Sequence, residues 1–88
     1  IDIISADACG IHFVEVKTRR SSIQAPPQDN VDAQKQRRIA KAAQGYLRTR
    51  KGIQYRCMEC MFDIVAVTFS GDSFSTEYFE QAYIPVYI

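Results

Sequence analysis

Tryptophan is absent from this 88-residue chain, histidine occurs once, and glycine and proline supply only four and three residues. No internal repeat or low-complexity tract is visible. A single domain spanning residues 1–88 is therefore expected, with a modest core and little stability to spare. No run of 18 apolar residues and no charged-then-apolar leader occurs, so neither a membrane span nor a signal peptide is expected. A soluble cytoplasmic protein is the resulting expectation. Three cysteines, Cys9, Cys57 and Cys60, make an odd count, which argues against a disulfide framework and for reduced thiols.

Positive charge is missing from both ends. All eleven Lys and Arg residues lie between Lys17 and Arg56, where only Asp29 and Asp32 oppose them, a net charge of +9. The other eight acids flank this segment, and the chain as a whole sums to +1. Segregation of this kind favours a polyanionic partner on one side of the molecule.

IDIISA (1–6) and IHFVEVK (11–17) read as strands, with DACG between them as a tight turn. If Ala8 and Cys9 form the loop, cross-strand partners have numbers summing to 17, which sets Ile4 against Phe13 and Asp2 against Glu15. From Lys17 to Asn30 the chain is polar and contains APPQ, and it reads as a loop. Asp29 or Asn30 is then expected to cap a helix running to Gly52. Its apolar stripe comprises Val31, Ile39, Ala43, Tyr46 and Leu47, opposite Arg37, Arg38, Lys41 and Arg48. MFDIVAV reads as a central strand buried on both faces, turning at Ser70–Ser73 into an aromatic tail that holds a further strand or an irregular packed end. The order strand, strand, helix, strand predicts an α/β sheet carrying a basic helix on its crossover.

The second strand places charge where a small domain has reason to avoid it. Phe13, Glu15 and Lys17 share one face, and His12, Val14 and Val16 the other. With Asp2 opposite Glu15, two carboxylates and an ammonium form one patch, and like charges directly opposed need a cation between them. Mg²⁺ or Mn²⁺ suits carboxylate oxygens and takes phosphate oxygens as further ligands. Phosphodiester hydrolysis needs that chemistry: a metal to neutralise phosphate and activate water, and a cation near the developing charge. Asp2 and Glu15, with the Val16 carbonyl, are the candidate metal ligands. Lys17 is the candidate for orienting water or stabilising the transition state.

Asp2 followed after thirteen residues by Glu15-Val16-Lys17 resembles the D…(D/E)xK signature of restriction-endonuclease-like nucleases. The longer runs IDIISADACGIHFVEVKTRRS, VDAQKQRRIAKAAQGYL and CMFDIVAV are similar to the YraN-like family of predicted endonucleases, itself similar to archaeal Holliday junction resolvases. The resemblance covers roughly residues 1–70. It implies a restriction-endonuclease-like mixed sheet with a strand-strand-helix-strand core and a metal-dependent activity on DNA, branched DNA included, with Asp2, Glu15 and Lys17 as the active-site residues. That family carries, ahead of this region, a helix with a Gly-Glu motif and a further acidic residue, and neither is found in this chain.

Arg19 and Arg20 are expected beside a bound phosphate, with Lys35, Gln36, Arg38 and Lys41 as further nucleic-acid contacts from the helix. Against this stands the plainer reading of a solvated face. Cys57 and Cys60 form one CxxC with no second pair nearby, which favours packing over zinc or redox chemistry. His12 points away from Glu15 and reads as a packed or surface residue rather than a catalytic base. Asp63 opens a buried strand and is expected to accept hydrogen bonds from a loop or a helical Arg; a supporting role beside Glu15 is the sharper alternative. The acidic, aromatic tail is a candidate homodimer surface. Two rivals to the endonuclease reading remain: a nucleic-acid-binding module without turnover, and a protein-assembly domain.

Overall fold

The computed structural model describes residues 1–20 and 32–84. Its one sheet has the order β1-β2-β3-β4, built from Ile3–Ala6, Ile11–Arg20, Cys60–Ser70 and Ser73–Phe79. Strands β1 and β2 are antiparallel, β2 and β3 parallel, and β3 and β4 antiparallel. Helix α1, Ala33–Leu47, and a short 3₁₀ turn at Ile53–Tyr55 lie on the connection between the parallel strands. The architecture is mixed α/β.

The hairpin has the register expected from its turn: Ile4 faces Phe13 and Ala6 faces Ile11. Asp7 fixes the corner. Its Oδ1 accepts the backbone N–H groups of Cys9 at 2.8 Å and Gly10 at 3.1 Å, closing the loop with a side chain that mimics a backbone turn.

Strand β2 does not stop at Lys17, where a loop was expected. It stays paired through Arg20, opposite Phe69, because β3 runs on to Ser70 and the ladder needs only backbone groups to continue. Arg19 Nε adds a hydrogen bond to Thr68 Oγ1 at 3.2 Å. The rest of the expected loop lies outside the described residues, as do the expected caps Asp29 and Asn30, the first stripe residue Val31 and the edge proline Pro85.

The helix is capped instead by Asp32, whose Oδ1 accepts the Lys35 N–H at 2.8 Å. It ends at Leu47, short of Gly52. Thr49 is the cause: its hydroxyl donates to the Tyr46 carbonyl at 2.6 Å and accepts the Gly52 N–H at 3.1 Å, offering the backbone a turn in place of further helix.

The core forms between α1 and one face of the sheet, from Ile11, Phe13, Phe62 and Ile64 below and Ile39 and Ala43 above. Phe13 and Phe62 stack with centroids 5.6 Å apart, and Tyr46 meets Phe13 edge-on at 6.3 Å. Strand alternation continues that face through Glu15 and Lys17, so the apolar floor gives way to charge under the first turn of the helix. The interior position of β3 agrees with its apolar sequence, with Phe62, Asp63, Ile64 and Ala66 buried. On β4, Phe74 and Tyr78 are exposed.

Candidate functional site

The cluster begins with a backbone substitution by a side chain. Asp2 N–H donates to the Val14 carbonyl at 2.9 Å, and the Asp2 carboxylate then accepts the Val16 N–H at 2.8 Å. Asp2 is thereby held against β2 just where the β1 ladder ends. Within a pleated strand the N–H and C=O of one residue point the same way, so the Val16 carbonyl opens on the same margin.

Glu15 stands on the adjacent, helix-facing side. Its Oε1 lies 2.8 Å from the Ile1 amino group and its Oε2 lies 3.9 Å from Lys35 Nζ. Lys17 completes the group. Its pKa is held below the ordinary lysine value, first by the contact with Lys35, which favours a neutral Lys17 amine that can accept from the Lys35 ammonium, then by burial and by the like charge of Lys35; Glu15 and Asp2 act in the opposite sense. Four of the sequence candidates, Asp2, Glu15, Lys17 and Lys35, thus share one electrostatic neighbourhood. Lys35 arrives there because Asp32 starts the helix so that Lys35 and Gln36 fall half-buried, one turn ahead of Ile39 on the sheet-facing stripe.

The remaining candidates disperse. Arg19 shares the face of Glu15 and Lys17, whereas Arg20, one residue on, falls on the other face by strand alternation. Arg38 and Lys41 are exposed on α1. Cys57 and Cys60 are free thiols, the latter with its pKa raised by burial. Among the described residues, no three His, Cys, Asp or Glu side chains gather where they could hold a metal ion. The cluster offers two carboxylates and a carbonyl. That donor set fits a hard cation that keeps most of its shell as water and phosphate oxygen.

A second polar centre, on the opposite face, escaped the sequence reading. His12 is buried, with Nδ1 2.6 Å from Asp63 Oδ2 and Nε2 3.0 Å from Asp7 Oδ2. The Tyr78 hydroxyl donates to the same Asp63 oxygen, and the Gln81 N–H donates to Asp63 Oδ1 at 2.9 Å. Asp63 therefore accepts from a loop N–H, as expected, and not from a helical Arg; it lies on the face of the sheet away from the carboxylate cluster, not beside Glu15. Burial alone would depress the His12 pKa, but the hydrogen bonds to Asp63 and Asp7 outweigh it and the net shift is upward. Burial and the Asp63 contact push the Tyr78 phenol well above its usual value. Asp7 is held below the carboxylate range by the Cys9 N–H and by His12. The period-two pattern did give the face of His12; its partner Asp63, 51 residues away in sequence, left no local signal.

Fold and cluster together define a mixed α/β domain with two carboxylates and two lysines gathered about the middle of β2. The chain belongs to the uncharacterised protein family UPF0102, whose model matches residues 1–67. It is 41% identical over 83 residues to a UPF0102 protein of Geobacter metallireducens, covering 94% of this chain and 66% of that one. It is 40% identical over 83 residues to one of Syntrophotalea carbinolica, covering 94% and 65%. A Chlorobium limicola member is 39% identical over 89 residues, covering 94% and 67%. The chain thus spans about two thirds of the length of these relatives. No solved structure matches it. No helix among the described residues is long and apolar enough to cross a membrane.

Proposed function

We propose that this chain carries the core of a divalent-metal-dependent DNA endonuclease of restriction-endonuclease-like type, hydrolysing phosphodiester bonds in branched or junction DNA within the cytoplasm. The observation that supports it is the convergence of Asp2, Glu15 and Lys17 with Lys35, contributed by the residue ahead of β1, the middle of β2 and the first turn of α1. Asp2, Glu15 and the Val16 carbonyl would hold Mg²⁺ or Mn²⁺, which when bound would neutralise phosphate charge and supply an activated water. Lys17 and Lys35 would hold the non-bridging oxygens of the phosphate, and the low dielectric of the half-buried site strengthens that contact. Arg19 extends positive charge from the same face.

Calorimetric titration of Mn²⁺ into the protein and into Glu15→Ala tests this reading. Binding of about one ion per chain that disappears in the variant is expected. No binding to the unaltered protein would sink it. One observation favours a second reading, that of a nucleic-acid-binding module without turnover: the Asp2 carboxylate already serves the Val16 N–H. That reading predicts DNA affinity that is steep in salt and indifferent to Glu15→Ala.

A further inference from the structure

Between Ala33 and Met58 the chain has eight cations, Lys35, Arg37, Arg38, Lys41, Arg48, Arg50, Lys51 and Arg56, and no acid. Where α1 gives way to the 3₁₀ turn, this stretch folds back on itself. A groove of about 380 Å³ opens there, lined by Gln44, Leu47, Arg48, Ile53 and Arg56. It is an open groove whose volume falls within the range of small-ligand sites. The apolar members are Leu47, half-buried, and Ile53, which stays 47% exposed. Arg48 and Arg56 come from different elements yet border the same space, and among the described residues no carboxylate pairs with either. Two arginines that border one groove, with no carboxylate paired to either among the described residues, make an anion a favourable occupant.

We propose that this groove is a second, remote contact for a nucleic acid, in which Arg48 and Arg56 clasp one backbone phosphate while its sugar rests on Leu47 and Ile53. Arginine suits the role because its planar fork matches phosphate oxygens and its weak hydration lets it sit against apolar surface. The charge of the surrounding segment selects a polyanion over a neutral peptide, and the apolar lining separates the groove from a merely solvated basic face.

Position adds a length requirement. Lys35 in the first turn of α1 and Arg48 at its C-cap are thirteen residues apart, about 20 Å along the axis at 1.5 Å per residue and on different sides of it, so this is a minimum separation. A strand in a duplex advances about 3.4 Å per nucleotide, so the remote phosphate lies at least roughly six nucleotides from the one held at Lys17 and Lys35. The inference rests on the nucleic-acid half of the reading above and not on the metal site.

Fluorescence anisotropy in EDTA, with labelled duplexes lengthening from about 6 to about 20 base pairs at several salt concentrations, tests it. The unaltered chain, Glu15→Gln, and the double variant Arg48→Ala/Arg56→Ala are compared; both arginines are exposed, so the variant keeps its fold. For the longer duplexes the double variant is expected to bind about tenfold or more weakly and to show a salt slope shallower by about one, as the loss of one phosphate contact requires. For the shortest duplexes it should match the unaltered chain. Equal affinity and slope at every length would overturn the groove, even if Mn²⁺ binding and cleavage were found. Loss of metal binding together with an intact length-dependent arginine effect would overturn the nuclease and leave the groove standing. Competition by polyglutamate as effective as that by DNA of equal charge would assign the groove to acidic protein and overturn the proposal.

Discussion

The carboxylate of Asp2 occupies the place of a backbone acceptor for Val16, 2.8 Å from its N–H, and so continues the β1–β2 ladder beyond the last paired residue, Ile3. Charge and hydrogen bond can be separated at this position. Asp2→Asn keeps an acceptor and removes the charge, whereas Asp2→Ala removes both. Urea unfolding should find Asp2→Asn close to the unaltered chain and Asp2→Ala less stable by about 0.5–1.5 kcal/mol. Mn²⁺ binding should be lost in both.

The bridge from Asp7 through His12 to Asp63 makes stability depend on pH. The folded His12 pKa lies above its ordinary 6.5, so its contribution is complete below 6.5 and fades as pH rises through the folded value. Asp7 acts in the other direction: its folded pKa lies below 3.8, so its contribution holds above 3.8 and is lost as pH falls through the folded value. The urea midpoint should therefore be highest between these two ordinary values and decline toward alkaline pH. In His12→Asn the alkaline decline should flatten although the whole curve drops.

Phe13 joins β2 to both of its neighbours in the core. It is 1% exposed, stacked on Phe62 and met edge-on by Tyr46. Phe13→Ala should cost about 3–5 kcal/mol, enough to populate unfolded chains in so small a domain. Circular dichroism during thermal unfolding reads this directly. The exposed Phe74→Ala should shift the midpoint little.

Two glycines predict opposite outcomes for the same substitution. A methyl group on Gly52 would lie 2.0 Å from the Tyr46 carbonyl oxygen and 2.9 Å from the Tyr46 ring, at the turn that ends α1. Gly52→Ala should be destabilising. Gly45 lies within the helix with nothing near its missing methyl, so Gly45→Ala should stabilise by about 0.5–1 kcal/mol. Denaturant midpoints for the pair check both.

What could be read from the sequence follows from the range of the interactions concerned. The register that sets Ile4 against Phe13 and Ala6 against Ile11 depends on a four-residue turn and a period-two pattern, both local, and it is found as expected; Asp2 itself bonds to Val14 and Val16 rather than pairing with Glu15. The helical stripe through Ile39 and Ala43 and the turn at Ser70–Ser73 are local patterns too, and the crossover follows from the order of the elements they define. The extension of β2 through Thr18, Arg19 and Arg20 was hidden because those residues owe their strand conformation to β3 and not to their own polarity. Asp29, Asn30 and Asp32 are all good caps, so composition could not choose among them. The His12–Asp63 contact was beyond reach, since nothing in HFV or FDI indicates that the two side chains meet.

The parallel pairing of β2 with β3 has a kinetic consequence. Ile11 and Cys60, the first partners in that ladder, are 49 residues apart, whereas Ile3 and Val14 are separated by 11. Closing the longer loop costs more chain entropy and comes later in folding. The hairpin carrying Asp2 and Glu15 can therefore assemble first, and Lys35 reaches Glu15 only after the crossover has closed. Rapid refolding experiments should resolve two events: a fast one sensitive to Asp7 and the turn, and a slower one sensitive to Phe62 and Ile64.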